Sequence, residues 1–372
     1  MKVALLGENY YPTLGGIQEH VYHLAQALRS AGHSVNVLTG LPRVESWRGP
    51  RDEEWVTRLG RARRYSVMGT STVLTMGPGV ARRLWKALRH ERFDLVHVHG
   101  PCDVGLPMLL YPMYRGPIVA TLHSPINDAG LMRRLAAPYY QWVLNRARRV
   151  IAVSETARTA MARYARFTAD IVPNGVPVAM LAGGRPMDRL RRDGRKNILM
   201  LGRLEPRNGP DLMFAAMERV LERHPSAHLI VAGEERPFGT RRHEAMVPAS
   251  CRAHVTFLGA VFEERPDVYA SADVCVVPAR AGTFSIIILE ALAAGLPVVA
   301  TPFIEGHDRE PHWRSVVTTP DFRPESIADA ISGALSENQT RRIADGREIV
   351  RSFDWPVVSK RIESLYREAL SG

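Results

Sequence analysis

The sequence has few cysteines and no long uninterrupted apolar run. Its three cysteines, Cys102, Cys251 and Cys275, form no C-x-x-C pair, so a disulfide framework and a zinc ribbon are both excluded. The longest apolar stretch, 286–304, is interrupted by a glutamate, a glycine and a proline, whereas a membrane-spanning helix needs about 20 predominantly apolar residues. The apolar run at residues 1–7 is too short for a secretory signal. We therefore expect a cytoplasmic protein.

Acidic residues are scarce in the first half of the chain. Residues 1–180 carry 23 lysines and arginines against 12 acidic residues, whereas residues 181–372 carry 26 of each, so the net charge of +11 lies entirely in the first half. Such asymmetry favours a partner with a negative surface, either anionic lipid or nucleic acid. A solvated basic face without a partner is the alternative. Because no helix-turn-helix, zinc or RNP motif accompanies the charge, we expect no nucleic-acid partner.

Short apolar runs recur between stretches of helical periodicity in both halves. Runs of four to six mostly apolar residues are typical of strands buried on both faces of a parallel sheet. They occur at 3–7, 34–39, 95–99, 118–123, 149–153, 197–201, 227–233, 255–259, 274–278 and 297–301. The sequence predicts an α/β protein with two doubly wound, Rossmann-like domains at 1–180 and 197–351. A stretch without periodicity at 181–196 is the predicted linker, and 40–65 and 234–250 are expected to be loops.

A glycine pair, Gly15 and Gly16, follows the first predicted strand and opens the first helix. Glycines here let backbone N–H groups approach an anion at a helix N-terminus, although a simple tight turn fits equally. The pattern is not the G-x-G-x-x-G dinucleotide fingerprint, which argues against a dehydrogenase.

His123 stands at the carboxyl end of a predicted strand, the sheet edge where open α/β proteins bind ligands. It could hydrogen-bond a sugar hydroxyl or assist a proton transfer, or it could be an ordinary loop histidine. We expect His97 and His99, on the preceding strand, to face opposite sides of the sheet and to serve packing.

Two segments of the second half suit an anionic ligand. Arg203 and Arg207 lie in a loop between a strand and a helix, where their guanidinium groups could clamp a diphosphate. Further on, a turn of small residues leads into a helix whose N–H groups around Ser285 and Ile287 could face an anion. Glu290 lies inside this apolar helix and could accept hydrogen bonds from ribose hydroxyls.

Taken together, these segments resemble the retaining GT-B glycosyltransferases, the large family that includes glycogen synthases, sucrose synthases and phosphatidylinositol mannosyltransferases. The resemblance covers nearly the whole chain through PTLGGIQEHV, FDLVHVHGP, TLHSP, VIAVSE, VPNGV, LGRLEPRNG and LEALAAGLPVVAT. It implies two Rossmann-like domains facing a cleft that holds the nucleotide sugar. It also implies that 352–372 is a crossover helix that returns to the N-terminal domain.

The resemblance assigns roles to individual residues. Gly15 and Gly16 would face the donor phosphates, His123 the transferred sugar, Arg203 the diphosphate and Glu290 the ribose. The remaining donor-binding candidates all lie in the two loops of the second half: Arg207, Asn208, Gly282, Thr283, Phe284, Ser285, Ile286 and Ile287.

Two positions depart from the family pattern. Gly282 stands where the family usually has a glutamate eight residues before Glu290, and Asn208 stands where it usually has a lysine. Arg207, Arg280, Thr283 and Ser285 are close enough in sequence to compensate in part.

The resemblance implies a metal-independent hexosyltransferase. It would use a GDP- or UDP-sugar, with GDP-mannose favoured, and a hydroxyl acceptor that is lipid-linked or part of a surface glycan. The basic first half would then lie on an anionic membrane surface at the inner face of the membrane. The alternative is a catalytically degraded GT-B protein that binds a nucleotide or a partner without sugar transfer.

Overall fold

The chain forms two compact units. Unit 1 comprises Met1–Gly175 with Trp355–Gly372, and unit 2 comprises Val176–Asp354. The computed structural model describes residues 1–13, 15–42, 49–50, 54–67, 70–123, 130–191, 194–233, 241–282, 284–304, 307 and 311–371. The predicted linker at 181–196 is part of unit 2, because Leu181 and Leu190 are buried in its core.

Unit 1 is built on an eight-stranded sheet. The strands are β1 (Lys2–Leu6), β2 (Ser34–Pro42), β3 (Val56–Val67), β4 (Thr70–Thr75), β5 (Leu95–His99), β6 (Ile118–Leu122), β7 (Arg149–Ala152) and β8 (Asp170–Ile171). Their order is β4-β3-β2-β1-β5-β6-β7-β8, and all pairs are parallel except β3 with β4. The direction of winding reverses between β1 and β5. Residues 56–65 are strand rather than the loop that the sequence suggested.

Helices cover both faces of this sheet. They are α1 (Gly16–Ser30), α2 (Val80–Glu91), α3 (Leu106–Met113), α4 (Gly130–Arg146), α5 (Glu155–Ala162) and the last helix of the chain, Trp355–Ser371. One core joins α2, α3 and α4 to inward-facing residues of β1 and β5. The last helix packs against α1 and β6, on the opposite face.

Unit 2 has a six-stranded parallel sheet. The strands are β9 (Lys196–Leu201), β10 (Ala227–Ala232), β11 (Val255–Gly259), β12 (Val274–Val277), β13 (Val298–Ala300) and β14 (Val316–Thr318), in the order β11-β10-β9-β12-β13-β14. The helices are α6 (Val178–Ala182), α7 (Pro210–Arg223), α8 (Arg241–Met246), α9 (Arg265–Ala270), α10 (Ile286–Ala294), α11 (Pro324–Ser336) and α12 (Thr340–Val350), so the last helix of unit 1 is α13. Winding reverses between β9 and β12.

Two cores cover the two faces of this second sheet. One contains α6, α9 and α10, and the other contains α7 and α11, with alternate residues of each central strand pointing into one or the other. This confirms the predicted pair of doubly wound α/β domains. In such sheets ligands bind beyond the carboxyl ends of the strands where winding reverses, so the loops after β1, β5, β9 and β12 are the candidates. Within the described residues, no helix is both long and apolar enough to cross a membrane.

Candidate active site

A glycine pair connects the first strand of unit 1 to its first helix. The helix α1 begins at Gly16, directly after Gly15, and no side chain caps its N-terminus. Gly15 is half-buried and Gly16 is exposed. Gln18 closes the loop, because its Nε2 donates to Thr13 Oγ1 at 2.9 Å, while its Oε1 lies 2.7 Å from the place that a Cβ on Gly15 would take. The backbone here is therefore accessible to an anion, and a larger residue at position 15 would require the end of the Gln18 side chain to shift.

Two histidines meet at the ends of adjacent strands in unit 1. His123 directly follows β6 and His99 ends β5, and His99 Nδ1 lies 2.9 Å from His123 Nε2. Burial lowers the pKa of both imidazoles well below the ordinary value, so both rings are neutral at pH 7. His123 thus acts as a neutral hydrogen-bonding group rather than a cation. Its contact with the transferred sugar stays a prediction.

His97 and His99 share one face of β5, so the expectation that they face opposite sides was wrong. Their ring centroids are 4.2 Å apart, because residues two positions apart along a strand point the same way. His97 Nδ1 lies 2.6 Å from the Tyr366 hydroxyl on α13, and its Nε2 lies 2.6 Å from Thr121 Oγ1. His97 therefore ties the last helix to the sheet.

His20, on α1, completes a buried imidazole cluster. Its ring centroid lies 4.7 Å from that of His123 and 5.3 Å from that of His99, and its Nδ1 lies 2.9 Å from Asn174 Oδ1. Burial lowers the pKa of His20 to about 4. In the described part of the chain, these three histidines could hold a metal, with one ligand atom of each within 4.8 Å of the others. His99 and His123 already use ring nitrogens to contact each other, so the three histidines form a buried imidazole cluster rather than a formed zinc site.

Two arginines share one buried carboxylate in the loop after β9. Arg203 Nη1 lies 3.1 Å from Glu205 Oε1, and Arg207 Nε lies 2.9 Å from Glu205 Oε2. The Glu205 side chain is 4% exposed, whereas those of Arg203 and Arg207 are 25% and 34% exposed. Asn208 turns inward, where its Nδ2 donates to the Arg203 carbonyl at 2.6 Å. The loop thus presents two partly exposed guanidinium groups fixed by one acid, a geometry suited to phosphate oxygens.

Arg280 lies in the loop after β12 and holds the arginine loop after β9 in place. Its Nη1 and Nη2 contact the two carboxylate oxygens of Asp211 at 2.7 and 2.5 Å, and Nη1 also donates to the Pro206 carbonyl at 2.9 Å. The backbone N–H of Arg280 donates to the Arg207 carbonyl at 2.7 Å. The Arg280 guanidinium holds the pKa of Asp211 below its usual range. Arg280 is therefore placed to position Arg207.

The start of α10 lies at the same sheet edge as the arginine loop. Ser285 precedes the helix, Ile286 begins it, and no side chain caps this end. A Cβ on Gly202, in the loop after β9, would lie 3.1 Å from Ile287 Cδ1, so the two segments are in contact. The first-turn N–H groups add a positive partial charge beside the arginines.

An aromatic side chain lies against the position that departs from the family pattern. A Cβ on Gly282 would lie 2.9 Å from a Phe303 ring carbon, so a glutamate here would have to displace that ring. The ring centroid of Phe284 lies 5.5 Å from that of His312. Thr283 lies outside the described residues, and its predicted contact with the donor stays a prediction.

Glu290 is engaged by the neighbouring helix α9. Its Oε2 accepts from the Tyr269 hydroxyl at 2.9 Å, and its Oε1 lies 3.3 Å from Arg265 Nη1. Glu290 is only 2% exposed, so these contacts satisfy a buried carboxylate. The predicted ribose contact stays a prediction.

Two family models match the two halves of the chain. The model for Glycosyltransferase Family 4 matches residues 14–180, and that for Glycosyl transferases group 1 matches residues 195–337. The phosphatidyl-myo-inositol mannosyltransferase of Mycolicibacterium smegmatis is 31% identical over 381 residues, covering 100% of this chain and 95% of that protein. The chain belongs to glycosyltransferase family 4.

Solved structures share the fold of this family 4 glycosyltransferase. Sucrose-phosphate synthase from Thermosynechococcus elongatus superposes with a TM-score of 0.78 at 21% identity, covering 100% of this chain and 99% of that one. Anabaena HepE in complex with UDP and glucose gives 0.73 at 18% identity, covering 98% of each chain. The fold is therefore GT-B, as the sequence predicted.

In each unit of this glycosyltransferase, residues that hold the predicted site residues in place were not identified from the sequence. Glu205 and Asp211 hold the arginine loop, and His20 and His99 pack against His123. The sequence indicated Glu205 only by its position between Arg203 and Arg207, in a segment already named as a candidate. It indicated His20 and His99 less clearly, because their contacts with His123 depend on strand order and on the placement of α1.

Proposed function

We propose that this chain transfers a hexose, with mannose favoured, from a nucleoside diphosphate sugar to a hydroxyl acceptor, with retention of configuration. The observation that carries the proposal is the Arg203–Glu205–Arg207 cluster beside the N-terminus of α10, where the winding of the unit 2 sheet reverses. The mannosyltransferase relative supports mannose as the transferred sugar, and we propose GDP-mannose as the donor. The HepE complex with UDP keeps a UDP-sugar as the alternative donor.

The proposed chemistry depends on charge that develops at the leaving group. Cleavage of the donor leaves a nucleoside diphosphate, and fixed donors aimed at that charge stabilise the transition state. Arg203 and Arg207 would supply two guanidinium groups, with Arg207 taking over from the lysine that Asn208 replaces. We propose that these cations and the α10 N–H groups stabilise the leaving diphosphate without a metal ion.

The other predicted contacts complete the proposal. The N–H groups at Gly15 and Gly16 would face the donor phosphates, and neutral His123 would hydrogen-bond the transferred sugar. Glu290 would accept from the ribose while α9 holds its carboxylate in place.

A donor panel tests the proposal directly. Purified full-length chain is incubated in EDTA with GDP-mannose or UDP-glucose and phosphatidylinositol vesicles, and products are identified by mass spectrometry. Arg203→Ala and Arg207→Ala are each expected to lower kcat/KM by roughly 10²–10³, the cost of one lost transition-state donor. Arg219→Ala, which removes an exposed arginine paired with Glu325 on the surface, is the matched control and should stay within about twofold. Equal losses in all three variants would contradict the assignment.

Two observations favour the degraded protein as a second candidate. Phe303 lies where a side chain on residue 282 would go, and Asn208 donates inward instead of presenting a cation. Repair therefore needs Gly282→Glu and Asn208→Lys together with Phe303→Ala, with Gly282→Glu alone as the control. Transfer that appears only in the triple variant would identify a degraded site. Robust wild-type transfer with no gain on repair would eliminate this candidate.

We also propose that unit 1 lies on an anionic membrane surface. The helix α2 buries Val80, Leu84 and Leu88 against the sheet, and exposes the basic and aromatic residues Arg82, Trp85, Lys86 and Arg89. The Arg89 guanidinium lies 5.0 Å from the Trp85 ring centroid, and Trp85 is 47% exposed. Basic residues beside an exposed aromatic ring suit an anionic bilayer, at about 1 kcal/mol per basic residue.

Vesicle flotation tests the membrane proposal. The double variant Lys86→Glu/Arg89→Glu should bind phosphatidylserine vesicles at least about tenfold more weakly than wild type, since two cations are lost and reversed. The control Arg341→Glu changes an exposed arginine on α12 and should bind like wild type. Equal binding to purely zwitterionic vesicles would contradict the proposal.

A further inference from the structure

The imidazoles at the carboxyl end of the unit 1 sheet form an ordered chain. His99 lies between His97, whose ring centroid is 4.2 Å away, and His123, whose Nε2 is 2.9 Å from His99 Nδ1. His97, His99 and His123 are at most 9% exposed, so their ring nitrogens depend on protein partners. Where each ring proton sits therefore follows from those partners.

The partners of His99 fix its tautomer. Its Nε2 is buried and has no hydrogen-bond partner among the described residues. A proton on that nitrogen would be an orphaned buried donor, the rarest kind of unsatisfied group. The neutral ring therefore carries its proton on Nδ1, which donates to His123 Nε2.

The hydrogen-bond partners of His20 fix its tautomer by the same argument. Its Nδ1 meets the Asn174 side-chain oxygen, an acceptor, so the proton of His20 also sits on Nδ1. Its buried Nε2 has no partner among the described residues either.

We propose that His99 is a positioning residue that holds His123 in the Nδ1–H tautomer, so that His123 meets the donor sugar as a neutral N–H donor. The tautomer follows from the hydrogen bond together with the unpartnered Nε2 of His99, whereas the catalytic consequence rests on the proposed function. Without His99, His123 Nε2 loses its buried donor, and with it the contact that favours the Nδ1–H tautomer.

The tautomer is measured directly on the full chain. Long-range ¹H–¹⁵N correlation spectra of histidine-labelled protein distinguish protonated from unprotonated ring nitrogens. Wild type should show His123 protonated at Nδ1. His99→Asn should keep that state, because its carboxamide N–H replaces Nδ1–H, whereas His99→Leu should lose it. His123 protonated at Nε2 in wild type would overturn the proposal, as would coordination of added Zn²⁺ by His123, because a metal would take the nitrogens that the hydrogen bond uses.

Kinetics separate positioning from packing. His99→Leu should lower kcat at least about tenfold while the KM for the donor changes less than about threefold, and His99→Asn should recover most of the loss. The control His228→Asn, at a buried histidine of β10, should lower the melting temperature, because it disturbs the contact of His228 with Thr256, but should leave kcat unchanged. A folded His99→Leu variant with wild-type kcat would overturn the positioning role. Absence of transfer in wild type would count against the proposed function, while the spectra decide the tautomer on their own.

Discussion

Mild acid is expected to unfold unit 1 before unit 2. Burial lowers the pKa of the imidazoles of His20, His97, His99 and His123, all in unit 1. In the unfolded chain these rings take up protons near pH 6.5, whereas in the folded unit they stay neutral. The unfolded state therefore binds more protons below that pH, and the free energy of unfolding falls as pH decreases.

The expected loss is comparable to the stability of a domain. Between pH 7 and pH 5.5, each imidazole that stays neutral in the folded state lowers the free energy of unfolding by about 1 kcal/mol, so the four together lower it by several kcal/mol. A typical domain is stable by about 5–15 kcal/mol. In unit 2, His312, whose pKa burial lowers to about 4, lowers the free energy of unfolding by about 1 kcal/mol over the same range.

Urea unfolding at pH 7 and pH 5.5, followed by hydrogen exchange, measures the two units separately. Peptides from β5 and β6 report on unit 1, and peptides from β9 and β10 report on unit 2. His20→Asn keeps a donor for Asn174 and should reduce the acid-induced loss of stability in unit 1 by about 1 kcal/mol. His90→Asn, at an exposed histidine of α2, is the matched control and should leave the loss unchanged. Equal stability of unit 1 at both pH values would refute the reasoning.

Three further changes test unit 2. Gly209 has φ 69°, and a Cβ there would lie 1.9 Å from the Pro278 carbonyl oxygen in the neighbouring loop. Gly209→Ala should therefore raise the KM for the donor at least about tenfold. The control Gly333→Ala should leave this KM unchanged, because a Cβ at position 333 makes only ordinary van der Waals contacts. Asp211→Asn removes the acid that fixes Arg280, and titration calorimetry should show nucleoside diphosphate bound about three- to tenfold more weakly. Glu290→Gln leaves the α9 arginine without its buried carboxylate partner, and denaturation should show a loss of about 3–5 kcal/mol in unfolding free energy.

The central strands of both sheets were predictable from the sequence, but the sheet edge of unit 1 was not. The central strands read as apolar runs because both of their faces are buried. The strand Val56–Val67 instead carries four arginines, at 58, 61, 63 and 64, so its sequence resembles a loop. It lies second from the edge of the sheet, between β2 and β4, and Arg61 and Arg63 are exposed, whereas the central strands are buried on both faces.

Some features of the candidate site were likewise predictable from the sequence, and others were not. Gly15, Arg203 and the start of α10 were predictable because each follows a strand in sequence and opens a helix or loop. The engagement of Glu290 by α9 and the ring of Phe303 against Gly282 were not, since both depend on packing between segments far apart in the chain.

The two connections between the units make unit 2 an insertion within unit 1. Val176 pairs with Asp354 as an isolated bridge, and Val176 N–H donates to the Phe353 carbonyl at 2.9 Å, so the two ends of unit 2 lie side by side. During synthesis, the sheet of unit 1 must therefore wait through 179 residues of unit 2 before α13 can cover it and Tyr366 can reach His97. Unit 2 is complete before the ribosome supplies α13, so we expect the inserted domain to finish folding before its host.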